Sequence, residues 1–172
     1  MTNPPSSAET GRIVIIDDQP ANVALLARIL AQGGYDDIRG YTDPVLALAA
    51  VGADAPDLVL LDLHMPTLDG LAVLERIRAR DPERFLPVLV LTGDVDRSAR
   101  QRALAAGAND FLAKPFDLDE VLLRCRNLIT VRRLHEALRR RTISLAEELE
   151  STEQEWAAVA ASLQRLGPGE SA

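Results

Sequence analysis

The chain has 172 residues, 47% of them hydrophobic, and a formal net charge of −7. That length suits one domain of roughly 100–150 residues plus an extension, with enough apolar material for a real core, so general disorder is excluded. No apolar run approaches the roughly 18 residues of a membrane helix, and the single cysteine, Cys125, excludes an internal disulfide framework or a cysteine-rich zinc site.

The first predicted feature is a Pro/Ser-rich lead-in over residues 1–10, with neither the basic start nor the apolar stretch of a secretory signal. A cytoplasmic location is therefore expected. A strand, Ile13-Val14-Ile15-Ile16, then runs into Asp17-Asp18. A helical pattern from Ala21 to Gln32 is closed by Gly33-Gly34, and a weaker strand covers Asp37 to Tyr41. The next helix, Pro44 to Val51, is read as stopping at Gly52, and Leu58-Val59-Leu60-Leu61 forms a strand ending at Asp62. A helix from Leu68 to Arg80 stops before Asp81-Pro82. The strand Val88-Leu89-Val90-Leu91 ends at Thr92, a helix from Asp96 to Ala106 is closed by Gly107, and a last strand, Asn109 to Ala113, ends at Lys114-Pro115. Glycine after a helix and proline beyond it are ordinary stop signals. Continuous β-prone runs without alternation suit strands buried on both faces, so the order implies a doubly wound α/β sandwich on a parallel sheet.

From Asp117 to about Leu166 there is neither proline nor glycine. Leu138, Thr142, Leu145, Leu149, Thr152, Trp156, Val159, Leu163 and Leu166 are spaced four and three apart in alternation, a coiled-coil seam that calls for a homodimer. Leu134, Leu138 and Thr142 run four and four, a stutter where the helix leaves the globular part. The expected organisation is a lead-in over 1–10, a globular domain over 11–130, a coiled-coil helix over 131–166 and a tail over 167–172.

Residues 1–120 carry 11 basic and 19 acidic groups, and an acidic globular part argues against nucleic-acid binding. Within the helix, residues 124–141 hold seven arginines and one glutamate, and residues 142–155 hold five glutamates and no basic group. Of the 19 basic residues Lys114 is the only lysine.

In an open parallel sheet, ligands sit outside the carboxyl ends of the strands. Four strands here end in polar residues: Asp17 and Asp18, Asp62, Thr92, and Lys114. Singly these are unremarkable, since acidic residues form turns and threonine is β-prone. Together they have a chemistry. Three crowded carboxylates repel unless a hard cation such as Mg²⁺ takes their oxygens. A carboxylate held beside that cation can attack a phosphoryl group, with Lys114 and the Thr92 hydroxyl stabilising its oxygens. A compact ammonium suits a single phosphate oxygen better than a planar guanidinium.

These residues resemble a bacterial response-regulator receiver domain over roughly residues 11–130. The resemblance rests on Asp17-Asp18, Asp62, the loop His64-Met65-Pro66-Thr67-Leu68-Asp69-Gly70, Thr92-Gly93, and Phe111 ahead of Lys114-Pro115-Phe116. It implies a flavodoxin-like sheet of strand order 2-1-3-4-5, with Asp62 accepting phosphate from a sensor histidine kinase or a phosphotransfer protein. By the same resemblance Asp18 ligates Mg²⁺ directly, Asp17 through water, and the His64 backbone carbonyl is a further ligand. Lys114 pairs with the phosphate, Thr92 moves toward it, Phe111 swings inward, and the Lys114–Pro115 bond is cis. The side chains of His64 and Asp94 occupy positions that tune the lifetime of the aspartyl phosphate. A receiver followed by a coil is similar to the front half of larger regulators.

The same residues admit two rival readings. A phosphohydrolase of the haloacid-dehalogenase type also uses an aspartate nucleophile, Mg²⁺, threonine and lysine, but it needs an acid two residues after the nucleophile, where this chain has His64. The other is a scaffold that works through its coil alone, independent of phosphorylation.

Overall fold

The computed structural model describes residues 11–80, 85–93 and 97–165. In chain order the elements are β1 (Ile13–Ile16), α1 (Pro20–Gln32), β2 (Ile38–Tyr41), α2 (Pro44–Asp54) and β3 (Leu58–Asp62), followed by α3 (Gly70–Arg80), β4 (Val88–Thr92), α4 (Arg97–Ala105), β5 (Asp110–Ala113) and α5 (Leu118–Arg165). The expected lead-in and tail, and the residues Asp94 and Leu166, lie outside the described residues.

All strand pairings are parallel and the order is β2-β1-β3-β4-β5, the doubly wound arrangement expected. Every residue of β1, β3 and β4 is buried because both faces of the sheet are covered. On one face Val14, Ile16, Val59, Leu61, Val88 and Val90 pack against Ala47 and Val51 of α2, Val73, Leu74 and Ile77 of α3, and Ala103 of α4. On the other, Ile13, Ile15, Leu58, Leu60, Leu89 and Leu91 meet Leu26, Ile29 and Leu30 of α1 with Val121, Cys125 and Ile129 of α5. Burying such side chains contributes about 1.5–3 kcal/mol apiece, which holds the sheet ends rigidly enough to carry a site.

One expected boundary is wrong for a physical reason. Gly52 does not stop α2, which continues to Asp54 and ends on Ala55 in the left-handed region at φ 51°. The glycine is there for space: a Cβ at Gly52 would run into the Arg80 guanidinium, which donates from Nη1 to the Leu48 carbonyl at 2.8 Å. By contrast α4 does end at a glycine, since Gly107 takes φ 97° and its amide bonds back to Leu104 at 3.0 Å.

Two compact units are present, one ending at Arg133 and one starting at Leu134. The join expected after residue 130 falls just before this division, because Arg132 still belongs to the first unit: it is buried and donates from Nη1 to the Phe85 carbonyl at 2.5 Å. In the second unit α5 continues to Arg165, and Leu134, Leu138, Leu145, Leu149, Trp156 and Val159 are all exposed. No helix among the described residues is long and apolar enough to cross a membrane.

Candidate functional site

Strand register brings the four polar strand ends to one rim of the sheet. Ile16 pairs with Leu61, so the next residue on each strand, Asp17 and Asp62, stand level. Asp62 pairs with Leu91, which sets Thr92 one residue beyond, and Thr92 pairs with Ala113, which sets Lys114 one beyond again. Gly70 lets the start of α3 close over this rim. Its amide donates to the Leu63 carbonyl at 3.0 Å, and a Cβ there would run into the Asp62 carbonyl and come within 2.6 Å of Leu63 Cα.

Asp17, Asp18 and Asp62 each offer one carboxylate oxygen, and these oxygens lie within 4.8 Å of one another. Asp17 and Asp62 are buried and Asp18 is half-buried. Lys114 Nζ reaches into the cluster, 2.9 Å from Asp17 Oδ2 and 3.1 Å from Asp62 Oδ2. Burial pushes the Asp62 carboxyl above its ordinary range, and Lys114 pulls it partly back. Burial works against the Lys114 charge, but the hydrogen bonds to Asp17 and Asp62 outweigh it, so the ammonium is held above its ordinary value.

The donor set fits a hard divalent cation. Asp18 Oδ1 and Asp62 Oδ1 are buried and have no hydrogen-bond partner in the protein. Orphaned acceptors of this kind are costly unless a cation or ordered water takes them. Asp17 is differently placed, because its two oxygens already accept from the Gln19 amide at 2.9 Å, from Asn22 Nδ2 at 3.1 and 3.0 Å, and from Lys114.

Thr92 is buried at the end of β4, and its carbonyl accepts from the Lys114 amide at 2.8 Å. The Lys114–Pro115 bond is cis. The His64 side chain is exposed, while its backbone favours the ionised form of the Asp62 carboxyl. Phe111 is half-buried, with the Arg100 guanidinium 3.9 Å and that of Arg124 6.0 Å from its ring centroid, the former at cation–π distance.

Three contributors were missed in the sequence. Asn22 sits in the first turn of α1, so a polar residue five positions after Asp17 is a usable signal. In the sequence Gly70 reads only as part of a loop, since a close approach of backbone to backbone leaves no trace in one sequence. Arg100 was equally silent, because nothing local ties α4 to Phe111 on β5.

Comparison with known proteins agrees with this arrangement. Residues 13–126 match the response regulator receiver domain. The chain is 36% identical over 138 residues to the cyclic di-GMP phosphodiesterase response regulator RpfG of Xanthomonas campestris pv. campestris strain 8004, a match covering 80% of this chain and 36% of RpfG. It is 42% identical over 118 residues to response regulator MprA of Mycobacterium avium strain 104, covering 69% of this chain and 50% of MprA. The chain thus spans half or less of the length of these two relatives. Among solved structures, the receiver domain of NtrX from Brucella abortus superposes with a TM-score of 0.63 at 36% identity, covering 69% of this chain and 98% of that one. With the family matched across most of the chain and its sheet order reproduced, the protein belongs to the response regulators and carries their receiver domain.

Proposed function

We propose that Asp62 accepts a phosphoryl group from a sensor histidine kinase or a phosphotransfer protein and that the acyl phosphate switches the receiver surface. The observation that carries this reading is the triad of Asp17, Asp18 and Asp62 oxygens within 4.8 Å with Lys114 between two of them. In the transfer an Asp62 carboxylate oxygen forms a bond to phosphorus as the bond from phosphorus to the donor's imidazole nitrogen breaks, and the imidazole leaves with that electron pair. Phosphoryl transfer of this type needs positioning and charge more than covalent help.

Asp18 and Asp62, Asp17 through water, and the His64 backbone carbonyl would hold Mg²⁺, which when bound supplies positive charge to the phosphoryl oxygens. Lys114 gives up part of its pairing with Asp62 and takes a phosphoryl oxygen. Thr92 turns its hydroxyl toward another, and Phe111 follows into the space released, leaving Arg100. The two-state element is thus the end of β4, β5 and α4. Slow hydrolysis of the acyl phosphate by water is the only turnover assigned to this chain. The phosphodiesterase in the name of RpfG is a statement about that protein.

The reading extends to a cytoplasmic homodimer formed through α5, whose exposed apolar side chains beyond Leu134 need a partner. Beryllofluoride, which mimics a phosphoryl group on aspartate, tests the switch. With Mg²⁺ it is expected to shift the monomer–dimer equilibrium of the wild-type chain in sedimentation, and to leave Asp62→Ala unmoved. No shift in the wild type, or an equal shift in the variant, sinks the switch and favours the phosphorylation-independent scaffold. The phosphohydrolase reading has no acid at His64 to support it.

A further inference from the structure

Beyond Leu134 the helix carries an apolar stripe that is open among the described residues. Leu138, Leu145, Leu149 and Trp156 are 69%, 43%, 65% and 69% exposed. Thr142 and Thr152 complete the spacing. Their hydroxyls donate within the helix, Thr142 to the Leu138 carbonyl at 3.1 Å and Thr152 to the Glu148 carbonyl at 2.9 Å. Both threonines can therefore present methyl groups to a neighbour without stranding a donor.

The charged residues beside the stripe decide which way a second copy runs. With Leu149 at a and Leu145 at d of the heptad, Arg141, Glu148 and Glu155 fall at g, and Arg139 and Glu153 at e. In a parallel, in-register pair each g residue faces the e residue five positions on in the other helix. Glu148 would then meet Glu153 of the second copy, twice by symmetry, and no opposite charges would meet at all. In an antiparallel pair g faces g and e faces e. The register centred on Glu147 stacks Leu138 on Trp156, Thr142 on Thr152 and Leu145 on Leu149. It also sets Arg139 against Glu153 and Arg141 against Glu155, each twice, with a single like pair where Glu148 meets its own copy. Sliding by one heptad toward the C-terminus replaces these attractions with Glu148 against Glu155.

We infer that the helix beyond Leu134 pairs with a second copy of this chain in antiparallel fashion, in the register centred on Glu147. The inference rests on the dimer reading above and adds its direction and register. Charge complementarity carries it, since in water such flanking pairs decide orientation more than overall stability.

Two measurements on the full chain test it. Leu138→Cys and Trp156→Cys chains are oxidised separately and as an equimolar mixture. The antiparallel register predicts a disulfide-linked dimer in the mixture only, because Leu138 and its own copy are separated by about 27 Å along the axis at 1.5 Å per residue. A parallel coil crosslinks each variant alone, and that result overturns the direction while leaving the dimer standing. Glu153→Arg gives an opposite sign for the two directions. Facing Arg139, it raises the dimer dissociation constant roughly tenfold and Arg139→Glu restores it; facing Glu148 in a parallel coil, it tightens the dimer. A wild-type chain that sediments as a monomer at every concentration overturns the dimer reading itself.

Discussion

Lys114 illustrates how much one residue can say when the rest of the composition is set against it. The chain uses arginine at every other basic position, and its one ammonium lies between two carboxylates at the carboxyl end of the sheet. Burial raises the Asp62 carboxyl, and Lys114 pulls it partly back. Burial acts on Cys125 with nothing to oppose it, pushing its thiol from the ordinary 9.0 up to about 12. Because the folded value is the higher one, the stability this thiol contributes is fully present below about pH 9 and is lost as pH rises toward 12. The same burial predicts reactivity. At pH 8 an aromatic disulfide reagent should label Cys125 at least about a hundredfold more slowly in the native chain than in urea, since labelling must wait for opening. Equal rates would mean that Cys125 is not in the packed face between β1, β3 and α5.

At the level of elements, the decisive contact is the start of α3 against the end of β3. Gly70 has no room for a side chain, and the atoms in its way are the backbone of Asp62 and Leu63, which cannot rotate aside. Gly70→Ala should therefore cost about 2 kcal/mol, read as a lower urea midpoint at unchanged m. A variant with the wild-type midpoint would show that the close approach is not real. Strands were legible in the sequence because burial on both faces removes alternation and leaves unbroken runs such as Leu58–Leu61. Their functional ends were legible because the polar residue after each run breaks the pattern. Helix ends were less so. Gly52 looked like a stop, but its smallness answers Arg80 from α3, a contact between elements far apart in the chain. Arg100 over Phe111 and Asn22 on Asp17 belong to the same class, fixed by packing and invisible to local periodicity. His64 could be placed beside the site from its position alone.

At the scale of the molecule, two kinds of information are written in separate stretches. The receiver unit is acidic and holds the carboxylate cluster, and the helix beyond Leu134 holds an arginine block followed by a glutamate block. That division explains why the family is plain from the first stretch, and why orientation and partner choice must be argued from charge and seam positions in the second. Switching presupposes a chemically competent Asp62, whereas the direction of the helix pair does not. The most direct measurement is mass spectrometry of the chain after incubation with acetyl phosphate. With Mg²⁺ one labile phosphoryl group per chain is expected, mapped to Asp62 and absent from Asp62→Ala and from samples stripped of Mg²⁺ by chelation. A chain that takes up no phosphoryl group with Mg²⁺, or takes it up equally well without Asp62, would overturn the assignment of Asp62 as the phosphoacceptor.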